Sequence, residues 1–415
     1  MTEVYVAGVG MTAFKKHADR TLDDLGREAL ELALKDAGAE RSDLETAYYS
    51  GATNGFLQDQ HLIPGQVVLS KIGVESIPVL NVEAACASGA AAFHLAAQAI
   101  QSGSADIALA LGIEKMNIPD KARMFAVFDS GWDVEDPDEN LKILLEPSKD
   151  FPVPEGHESP KPYSVFMAVY AALCRQHMHA FGTTQRQIAA VCAKNHQHSV
   201  HNPLAQFQAP YTIDEVLAAA PITYPLTLPM CAPISDGAAA AILCSARGLE
   251  RLGGRKSRAV RVMASMAGSS VKRPADRPDL NSVHRTANRA YEKAGVGPDD
   301  MHVAEVHDAT AMGEILHAEN LSLVPFGEGG PAAERGEFTI GGRVPINPSG
   351  GLESKGHPIG ATGLGQVHEL VTQLRHEAGP RQVEGARRAV QENSGGLIDL
   401  GEAAVVINIL ERSAA

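Results

Sequence analysis

Residues 81–93 read NVEAACASGAAAF and place one cysteine, Cys86, between a short β-rich run and a helix built almost entirely from small residues. A strand that leads directly into a helix is the repeating unit of an α/β layered fold. The small side chains after Cys86 keep this helix thin, so that it can be buried between two sheets. A thiol at the start of a helix is either a packed core residue or a nucleophile whose thiolate the positive helix end favours.

The same alternation of strand and helix fills the first hundred residues. Thr21 predicts a helix N-cap, because acidic residues occupy the turn that follows it. The series consists of strands at residues 4–9, 46–49, 78–82 and 106–111 and of helices at residues 21–37 and 62–72, followed by the helix that starts at Cys86. This pattern predicts a βαβαβαβ unit.

The second half repeats the plan, which indicates an internal duplication. Residues 234–244, ISDGAAAAILC, and residues 399–410, DLGEAAVVINIL, each combine a turn that holds an acidic residue and a glycine with an apolar strand. The second series has strands ending near residue 267 and at 303–306, 389–391 and 403–410, with helices from residues 283, 310 and 359.

Residues 114–230 break the alternation and carry six of the 16 histidines, with helical stretches near 165–181 and 184–200. A long excursion from a compact α/β core usually builds a lid or a binding surface. We therefore expect three units: an N-terminal half (residues 1–113 with 231–257), an inserted loop domain (114–230) and a C-terminal half (258–415).

Charge and composition exclude several classes of partner. The 415 residues carry 36 Lys and Arg against 50 Asp and Glu, with no long basic run, which argues against nucleic acid or a membrane surface as the main partner. No apolar run approaches the ~18 residues that span a bilayer. Five widely spaced cysteines suit reduced thiols, so we expect a cytoplasmic location.

Two histidines occupy places in the second half that correspond to Cys86. His357 in residues 347–363, NPSGGLESKGHPIGATG, comes directly before a helix that again begins with small residues. His307 in AEVHDATAMGE follows a strand, at the carboxyl end where open α/β sheets gather ligands. Each could be a core histidine, but together with Cys86 they predict one site shared by the two halves.

Five motifs resemble those of the thiolases, in the same order along the chain: NVEAACASG, GIEKMN (112–117), CAPISDGAAA (231–240), EVHDAT and NPSGGLESKGHPIGATG. The HD pair, His307 and Asp308, is similar to the sterol-carrier-protein type. The resemblance implies a thiolase-like duplicated five-layer α-β-α-β-α core with an inserted loop domain, usually as a homodimer or homotetramer. It also implies an acyltransferase of lipid metabolism that performs 3-ketoacyl-CoA thiolysis or the reverse Claisen condensation.

The resemblance assigns a role to each motif residue. Cys86 would be the nucleophile that takes the acyl group from coenzyme A as a thioester. His357 would activate the thiol and, with His307, flank the thioester oxygen of the second substrate. A second oxyanion hole would use the backbone N–H of Cys86 and either Gly395 or Gly396. No cofactor is implied beyond the coenzyme A thioester substrates.

The sequence departs from the thiolase pattern at the second cysteine, which usually moves the proton of the substrate α-carbon. Neither the C-terminal loop, QENSGG at residues 391–396, nor Ala309 after the HD pair supplies a thiol. The remaining Cys-His-His set is closer to that of ketoacyl synthases. A histidine near neutral pKa could do the proton transfer; secondary candidates are Glu392, Asp308, Asn393 and Ser394.

This departure keeps two alternatives open. The chain could be an acyltransferase, or a non-catalytic acyl-CoA-binding subunit, that acts with a small partner protein built from a zinc ribbon and an oligonucleotide-binding fold. A metal site is not expected: two of the histidines in the insert are two positions apart on a helix and no cysteine pair supports them. We expect that patch to be solvated or to line the active site; it comprises His177, His179, His196, His198 and His201.

Overall fold

A computed structural model of the chain describes residues 2–161, 163–253 and 258–413. Its strands are β1 (Tyr5–Met11), β2 (Thr46–Ser50), β3 (Val79–Val82), β4 (Ile107–Lys115), β5 (Pro221–Thr223), β6 (Leu226–Thr227), β7 (Asp236–Cys244), β8 (Val260–Ser269), β9 (Val303–Glu305), β10 (Arg388–Ile398) and β11 (Gly401–Arg412). Nine of them form one mixed sheet in the order β3-β2-β4-β7-β1-β8-β11-β10-β9, and β5 pairs with β6.

The two halves of this sheet have the same topology. In the first, β2 and β4 are parallel, and β4, β7 and β1 follow as antiparallel neighbours. In the second, β9 and β10 are parallel, and β10, β11 and β8 follow as antiparallel neighbours. A parallel bridge between Ala304 and Ile346 stands beside β9 as β3 stands beside β2. The predicted duplication is confirmed, and the halves meet through two residue pairs of β1 and β8.

The helices lie on both sides of each half-sheet and between the two halves. They are α1 (Leu22–Ala37), α2 (Asn54–Gln58), α3 (Pro64–Lys71), α4 (Ser88–Gln101), α5 (Lys121–Ala126), α6 (Pro137–Leu145), α7 (Val165–Phe181), α8 (Gln185–Ser199), α9 (Ile213–Ala218), α10 (Ala246–Arg251), α11 (Ser282–Ala294), α12 (Ala311–Asn320), α13 (Gly329–Glu334), α14 (Gly351–Lys355) and α15 (Ile359–Leu374). Helix α1 covers the first half-sheet and α11 the second, whereas α4 and α15 pack on each other and contact both, which gives the five predicted layers. In the part of the chain that is described, no helix combines the length and the apolar character needed to cross a bilayer.

Helix α1 begins and ends where local sequence signals predict. The Thr21 hydroxyl accepts the backbone N–H of Asp24, whose carboxylate in turn accepts the N–H of Thr21. This reciprocal capping box satisfies two donors that the first turn would otherwise leave unpaired. Gly38 ends the helix in the left-handed conformation at φ 67°.

The central helices α4 and α15 approach each other closely because glycine lines their contact. A Cβ on Gly363 would lie 2.3 Å from the backbone nitrogen of Ala90, and one on Gly89 would lie 3.0 Å from the Gly360 carbonyl oxygen. Both distances involve backbone atoms, which no rotamer change can relieve. The small residues after Cys86 and His357 therefore allow the two helices to begin side by side.

The C-terminal hairpin differs from the sequence-based prediction. Strand β10 does not end at Gln391 but continues through the expected loop to Ile398, paired with β11 along its length. Pairing with β11 satisfies the backbone of this buried polar run, and the Gln391 amide donates to the Gly363 carbonyl at 2.7 Å. The residues from Glu392 to Gly396 therefore project alternately to the two faces of a sheet.

The insert is attached to the second half by buried histidines. The expectation of a solvated or site-lining patch is corrected for His177, His196 and His198, which are buried, whereas His179 and His201 are exposed. His177 lies 2.9 Å from the Thr183 hydroxyl and 3.0 Å from the Glu319 carboxylate. His198 lies 3.0 Å from the Asn347 carbonyl oxygen and accepts the backbone N–H of Ile340. These rings are buried structural partners, not a solvated or substrate-facing surface. Strand β4 runs past the expected start of the insert at residue 114, and the division into three units stays a prediction.

Candidate active site

Cys86 lies in a tight turn between β3 and α4. The turn, Ala85–Ala87, is a single 3-10 helix that leads into the first residue of α4. The Ser88 hydroxyl fixes it, because it accepts the Ala84 N–H at 2.9 Å and donates to the Ala85 carbonyl at 2.6 Å. Ala85 has φ 48°, a conformation that costs a residue with a side chain on the order of 1 kcal/mol or more and that occurs often at functional sites.

His357 lies directly before α15, and its hydrogen bonds fix the ring. Its backbone N–H donates to the Ser235 hydroxyl at 2.9 Å, and its Nδ1 lies 2.7 Å from Thr362 Oγ1. The Thr362 hydroxyl donates its one proton to the Pro358 carbonyl at 3.1 Å, so it must accept from Nδ1. This hydrogen-bond pattern assigns the proton to Nδ1 and leaves Nε2 with a free lone pair.

His307 follows β9 and contacts the other histidine. Its ring centroid lies 5.2 Å from that of His357, at an angle of 68° between the rings. Its backbone N–H donates to Glu392 Oε2 at 2.8 Å, whereas its Nε2 has no hydrogen-bond partner among the described residues. Glu392 therefore fixes the backbone of His307, and the ring nitrogen Nε2 is available for proton exchange.

The three predicted residues come together at one point. Cys86 Sγ and one ring nitrogen from each of His307 and His357 all lie within 4.8 Å of one another. The site thus combines the turn before α4, the turn before α15 and the end of β9, as the sequence predicts. It forms where the two duplicated halves meet.

The electrostatics of this cluster correct one expectation. Burial, with a smaller contribution from the Glu114 charge, raises the pKa of the Cys86 thiol to about 12, so the helix start does not yield a resting thiolate. Burial, with a contribution from Lys355, lowers the pKa of His357 to about 3. Burial and the neighbouring histidines also hold the pKa of His307 well below its usual value. The resting site therefore contains a neutral thiol beside neutral imidazoles, ready to exchange a proton.

The structure distinguishes between the two glycines that the sequence leaves as alternatives. A Cβ on Gly395 would lie 2.4 Å from the backbone nitrogen of Cys86 and 2.7 Å from that of Ala87. A Cβ on Gly396 would instead lie 3.2 Å from the Ala403 Cβ. Gly395 therefore packs against the backbone of the cysteine turn, and Gly396 does not.

The secondary candidates fall into different places. Asp308 points away from Cys86, because it accepts the Leu352 N–H at 2.8 Å and the Asn195 amide at 3.0 Å and so ties α8 to α14. Asn393 faces the start of α15; neither atom of its amide is paired within the described part of the chain. Glu392 is fully buried behind His307, and Ser394 is also buried.

Several neighbours of the site receive no role from the sequence alone. The Glu114 carboxylate accepts four hydrogen bonds, two from Thr53, one from Ala52 and one from the Gly360 N–H, and so fixes the first turn of α15. Tyr170 from α7 lies within electrostatic range of both Cys86 and Glu392, although burial is the main reason that its pKa is raised. The position of Glu114 inside the GIEKMN motif is the single sequence signal that could have pointed to any of these residues.

Cysteine and histidine are also the ligands that zinc prefers. Within residues 2–161, 163–253 and 258–413, Cys86, His307 and His357 are the one set of three or more such side chains close enough to hold an ion. The same atoms therefore serve either proton transfer or metal binding. The expectation of a metal-free site stays a prediction.

Two family domains match the chain. The thiolase N-terminal domain matches residues 4–217, and the domain described as thiolase C-terminal domain-like matches residues 262–408. The chain belongs to the thiolase family. Like other thiolases, it is an acyl-CoA acyltransferase by class, in agreement with the motif resemblance.

Curated relatives resemble this thiolase over most of its length. It is 38% identical to an acetyl-CoA acetyltransferase of Methanothermobacter thermautotrophicus, over 95% of this chain and 97% of that protein. It is also 38% identical to sterol carrier protein 2 of Oryctolagus cuniculus, over 98% of this chain and 71% of that protein. The benzoylsuccinyl-CoA thiolase subunit BbsB of Thauera aromatica is 34% identical over 92% of this chain and 91% of that protein.

Solved structures share the fold of this thiolase at low sequence identity. The Ltp2-ChsH2(DUF35) aldolase matches with a TM-score of 0.76 at 21% identity, covering 99% of this chain and 98% of that chain. Human mitochondrial 3-ketoacyl-CoA thiolase in complex with CoA matches with a TM-score of 0.69 at 16% identity, over 99% and 98% of the two chains. These matches confirm the predicted fold class.

Proposed function

We propose that this thiolase transfers acyl groups by a ping-pong route through an S-acyl intermediate on Cys86. The observation that carries the proposal is the approach of Cys86 Sγ to the nitrogens of His307 and His357 within 4.8 Å. A nucleophile beside a neutral imidazole whose far nitrogen is held by a hydroxyl is the arrangement that covalent catalysis needs. The raised pKa of the thiol makes that base necessary.

The first half-reaction follows from this arrangement. His357 Nε2 takes the proton of the Cys86 thiol while Sγ attacks the thioester carbonyl carbon of the acyl-CoA. The oxyanion that forms lies near the backbone N–H of Cys86 and the strand at Gly395, where hydrogen-bond donors stabilise it. The bond from carbon to the coenzyme A sulfur then breaks, and His357 returns the proton to that leaving thiolate.

The second half-reaction joins or separates carbon atoms. In condensation, an enolate of a second acyl-CoA attacks the S-acyl carbon and releases the Cys86 thiolate. In thiolysis, the same steps run in reverse, and coenzyme A finally takes the acyl group from Cys86. His307 and His357 would hold the thioester oxygen on which the enolate charge collects.

The experiment is to mix the protein with mass-tagged acetyl-CoA, quench the mixture and map the label. We expect one acetyl group on Cys86, no label in Cys86→Ala, and labelling slowed by about 100-fold or more in His357→Ala, since general base catalysis contributes at least that much. Cys231→Ala is the matched control, because burial raises the pKa of that thiol to about 12 as well. Full thiolysis activity in Cys86→Ala would contradict the proposal.

The acyl group is proposed to be apolar. The insert contributes a connected aromatic cluster: the Phe166 ring lies 4.8 Å from Trp132, 6.2 Å from Phe128 and 6.3 Å from Tyr170. Phe128 also packs in the same apolar cluster as Cys86. A screen of short, long and polycyclic 3-ketoacyl-CoAs for coenzyme A-dependent cleavage tests this, and a preference for the most polar acyl groups would contradict it.

We also propose that the reaction needs no metal or organic cofactor. A zinc ion held by Cys86, His307 and His357 would occupy the sulfur lone pair and the nitrogens that move protons. Chelation should therefore leave Cys86 labelling unchanged, and added Zn²⁺ should inhibit it. Loss of labelling on chelation, with recovery on addition of one metal equivalent, would show the opposite.

A second candidate is an enzyme that needs a partner protein, such as a small protein with a zinc ribbon and an oligonucleotide-binding fold. Two comparisons support it: one relative is named as a thiolase subunit, and one structural neighbour is a complex with a DUF35 component. The purified chain would then be acylated but would not complete thiolysis alone. Thiolysis of any 3-ketoacyl-CoA by the purified chain would rule out this dependence.

Self-association as a homodimer is proposed from the edge of the sheet. Strand β3 ends the sheet on one side and exposes Leu80 by 53%, and Leu62 and Ile63 before α3 are 76% and 58% exposed. An open strand edge with apolar side chains is what a second copy covers in a stable dimer. A cytoplasmic location remains part of the proposal and rests on the reduced cysteines.

A further inference from the structure

The group that moves the α-proton is missing from the steps above. Enolate formation requires a base beside the α-carbon of the second acyl-CoA, and the two usual cysteine positions hold no thiol. Glu392, like Glu353, is a buried carboxylate with one oxygen unpaired among the described residues, and Glu392 is hydrogen-bonded to the backbone of His307. Oε2 accepts the His307 N–H at 2.8 Å, whereas Oε1 makes no hydrogen bond to any described residue although the side chain is fully buried.

A second histidine lies beside this carboxylate. His317 on α12 is buried, and its Nε2 lies 3.7 Å from Glu392 Oε2. Its ring centroid lies 6.5 Å from that of His307, and its Nδ1 is unpaired among the residues described. A carboxylate and an imidazole thus form a pair directly behind His307 that acyl transfer to Cys86 does not use.

Another buried carboxylate near the site differs from Glu392. Glu114 is equally buried, yet both of its oxygens accept hydrogen bonds and it serves to fix backbone. An unpaired buried oxygen is costly and persists in native structures mainly where it has a task. The Glu392 carboxylate accepts the backbone N–H of His307, whose ring places one nitrogen within 4.8 Å of Cys86 Sγ, so the carboxylate adjoins the site.

We propose that Glu392 removes and returns the α-proton of the second acyl-CoA, and that His317 positions its carboxylate; this proposal rests on the proposed function. Oε1 takes the proton, the electron pair of the C–H bond forms the enolate, and the negative charge collects on the thioester oxygen beside His307 and His357. The enolate carbon then bonds to the S-acyl carbon, the bond to Cys86 Sγ breaks, and the proton passes through the histidines to the thiolate. In thiolysis, protonated Glu392 donates the proton to the departing carbon.

The environment of Glu392 suits both the removal of the α-proton in condensation and its return in thiolysis. Burial, with a small contribution from the Glu402 charge, raises its pKa above the usual value for a glutamate, whereas His317, the hydrogen bond from His307 and the nearby Ser394 hydroxyl act in the opposite sense. A carboxyl group with a raised pKa takes up a proton more readily than an exposed glutamate, as a general base requires. In this proposal Glu392 is the residue that contacts the reacting atoms, and His317 acts through it.

The test measures exchange of the acetyl-CoA methyl protons in deuterated water by mass spectrometry, alongside acetylation of Cys86. We expect Glu392→Gln to lower the exchange rate by about 100-fold or more while Cys86 labelling stays within about threefold of wild type. His317→Gln should lower the exchange rate at saturation by about 10-fold without changing the acetyl-CoA concentration that gives half the maximal rate. Glu411→Gln, a charge change near the end of the adjacent strand β11, is the matched control and should leave both readouts unchanged.

Each outcome decides the matter. Exchange at the wild-type rate in Glu392→Gln overturns the proposal, as does equal loss of exchange and Cys86 labelling together with a lower melting temperature. Wild-type protein that labels Cys86 but shows no exchange also overturns it and leaves the acyl-transfer function standing. Exchange that depends on Glu392 in protein that never labels Cys86 supports this inference and refutes the S-acyl route.

Discussion

Substitution of Gly395 by alanine tests the geometry of the oxyanion site most directly. The new methyl group would lie 2.4 Å from the backbone nitrogen of Cys86, 2.7 Å from that of Ala87 and 2.9 Å from the carbonyl oxygen of Ala84. All three are backbone atoms of the catalytic turn. The turn would therefore have to retreat by at least 0.6 Å, from 2.4 to 3.0 Å, to restore the shortest contact that a Cβ normally makes.

The expected effect on catalysis is large and that on folding moderate. Loss of one oxyanion donor costs about 100- to 1,000-fold in rate, and a displacement near 1 Å in a catalytic group costs about 100-fold. We therefore expect Gly395→Ala to acylate Cys86 about 100-fold more slowly than wild type. Overpacking of this kind also lowers the free energy of unfolding by about 1 to 3 kcal/mol.

Gly396→Ala is the matched control on the neighbouring residue. Its methyl group would meet its nearest neighbour, the Ala403 Cβ, at 3.2 Å, but the residue has φ 65°. A left-handed alanine costs about 1 kcal/mol or more, so this variant also loses stability. Because its Cβ does not approach the nitrogen of Cys86, its acylation rate should stay within about threefold of wild type.

The assay is single-turnover acetylation of Cys86, followed by mass spectrometry of quenched samples, with urea unfolding measured on the same preparations. A slow Gly395→Ala and a fast Gly396→Ala, both folded, support the assignment. Acetylation of Gly395→Ala within threefold of wild type would refute it, and so would equal slowing of the two variants.

Three further outcomes follow from the charges and surfaces described above. Because the pKa of Cys86 is raised to about 12, the rate of its alkylation by iodoacetamide should increase about tenfold per pH unit up to at least pH 10. A rate that reaches a plateau below pH 8 would instead indicate a preformed thiolate. Lys355→Met should lower the free energy of unfolding, measured in urea, by about 3 to 5 kcal/mol, because it leaves Glu305 buried without its cation. The control Lys142→Met, at the exposed pair with Glu139, should change it by less than about 1 kcal/mol. Equal effects of the two substitutions would contradict this reasoning. Leu80→Lys at the exposed sheet edge should convert a dimer to a monomer in light scattering, and a monomeric wild type would remove the basis for that interface.

Local signals made a large part of the fold predictable. Helix α1 begins at the residue after Thr21 because its capping box is complete within four residues. The sequence similarity between residues 234–244 and 399–410 predicted the duplication, and those segments form the corresponding strands β7 and β11. Such features depend on neighbours in sequence, so the sequence alone specifies them.

Strand β10 was not predictable in the same way. Glu392, Asn393 and Ser394 are poor strand formers, and the two glycines after them are typical of a turn. The run becomes a strand because β11 pairs with it and because the cysteine turn requires a residue without a side chain at position 395. Those demands come from parts of the chain far away in sequence.

The site shows the same division. Cys86, His307 and His357 could be predicted, because each stands at the end of a strand or the start of a helix whose pattern is visible. The pairing of His317 with Glu392 could not, because it depends on how α12 lies against β10. The raised pKa of Cys86 could not be predicted from the sequence either. Burial raises this pKa by more than the helix N-terminus lowers it, and only the packed structure determines burial.

The joining of the two halves in one chain has a consequence for how such chemistry can arise. The helices α4 and α15 start side by side across an approximate two-fold axis, so two identical, unlinked halves would have to present the same residue at both starts. A symmetric pair of that kind offers two thiols or two imidazoles, and neither pair contains both a nucleophile and its base. Fusion of the two copies into one polypeptide removes that constraint, because each helix start can then mutate independently. One start can keep a thiol while the other acquires an imidazole, which is the difference that proton transfer needs.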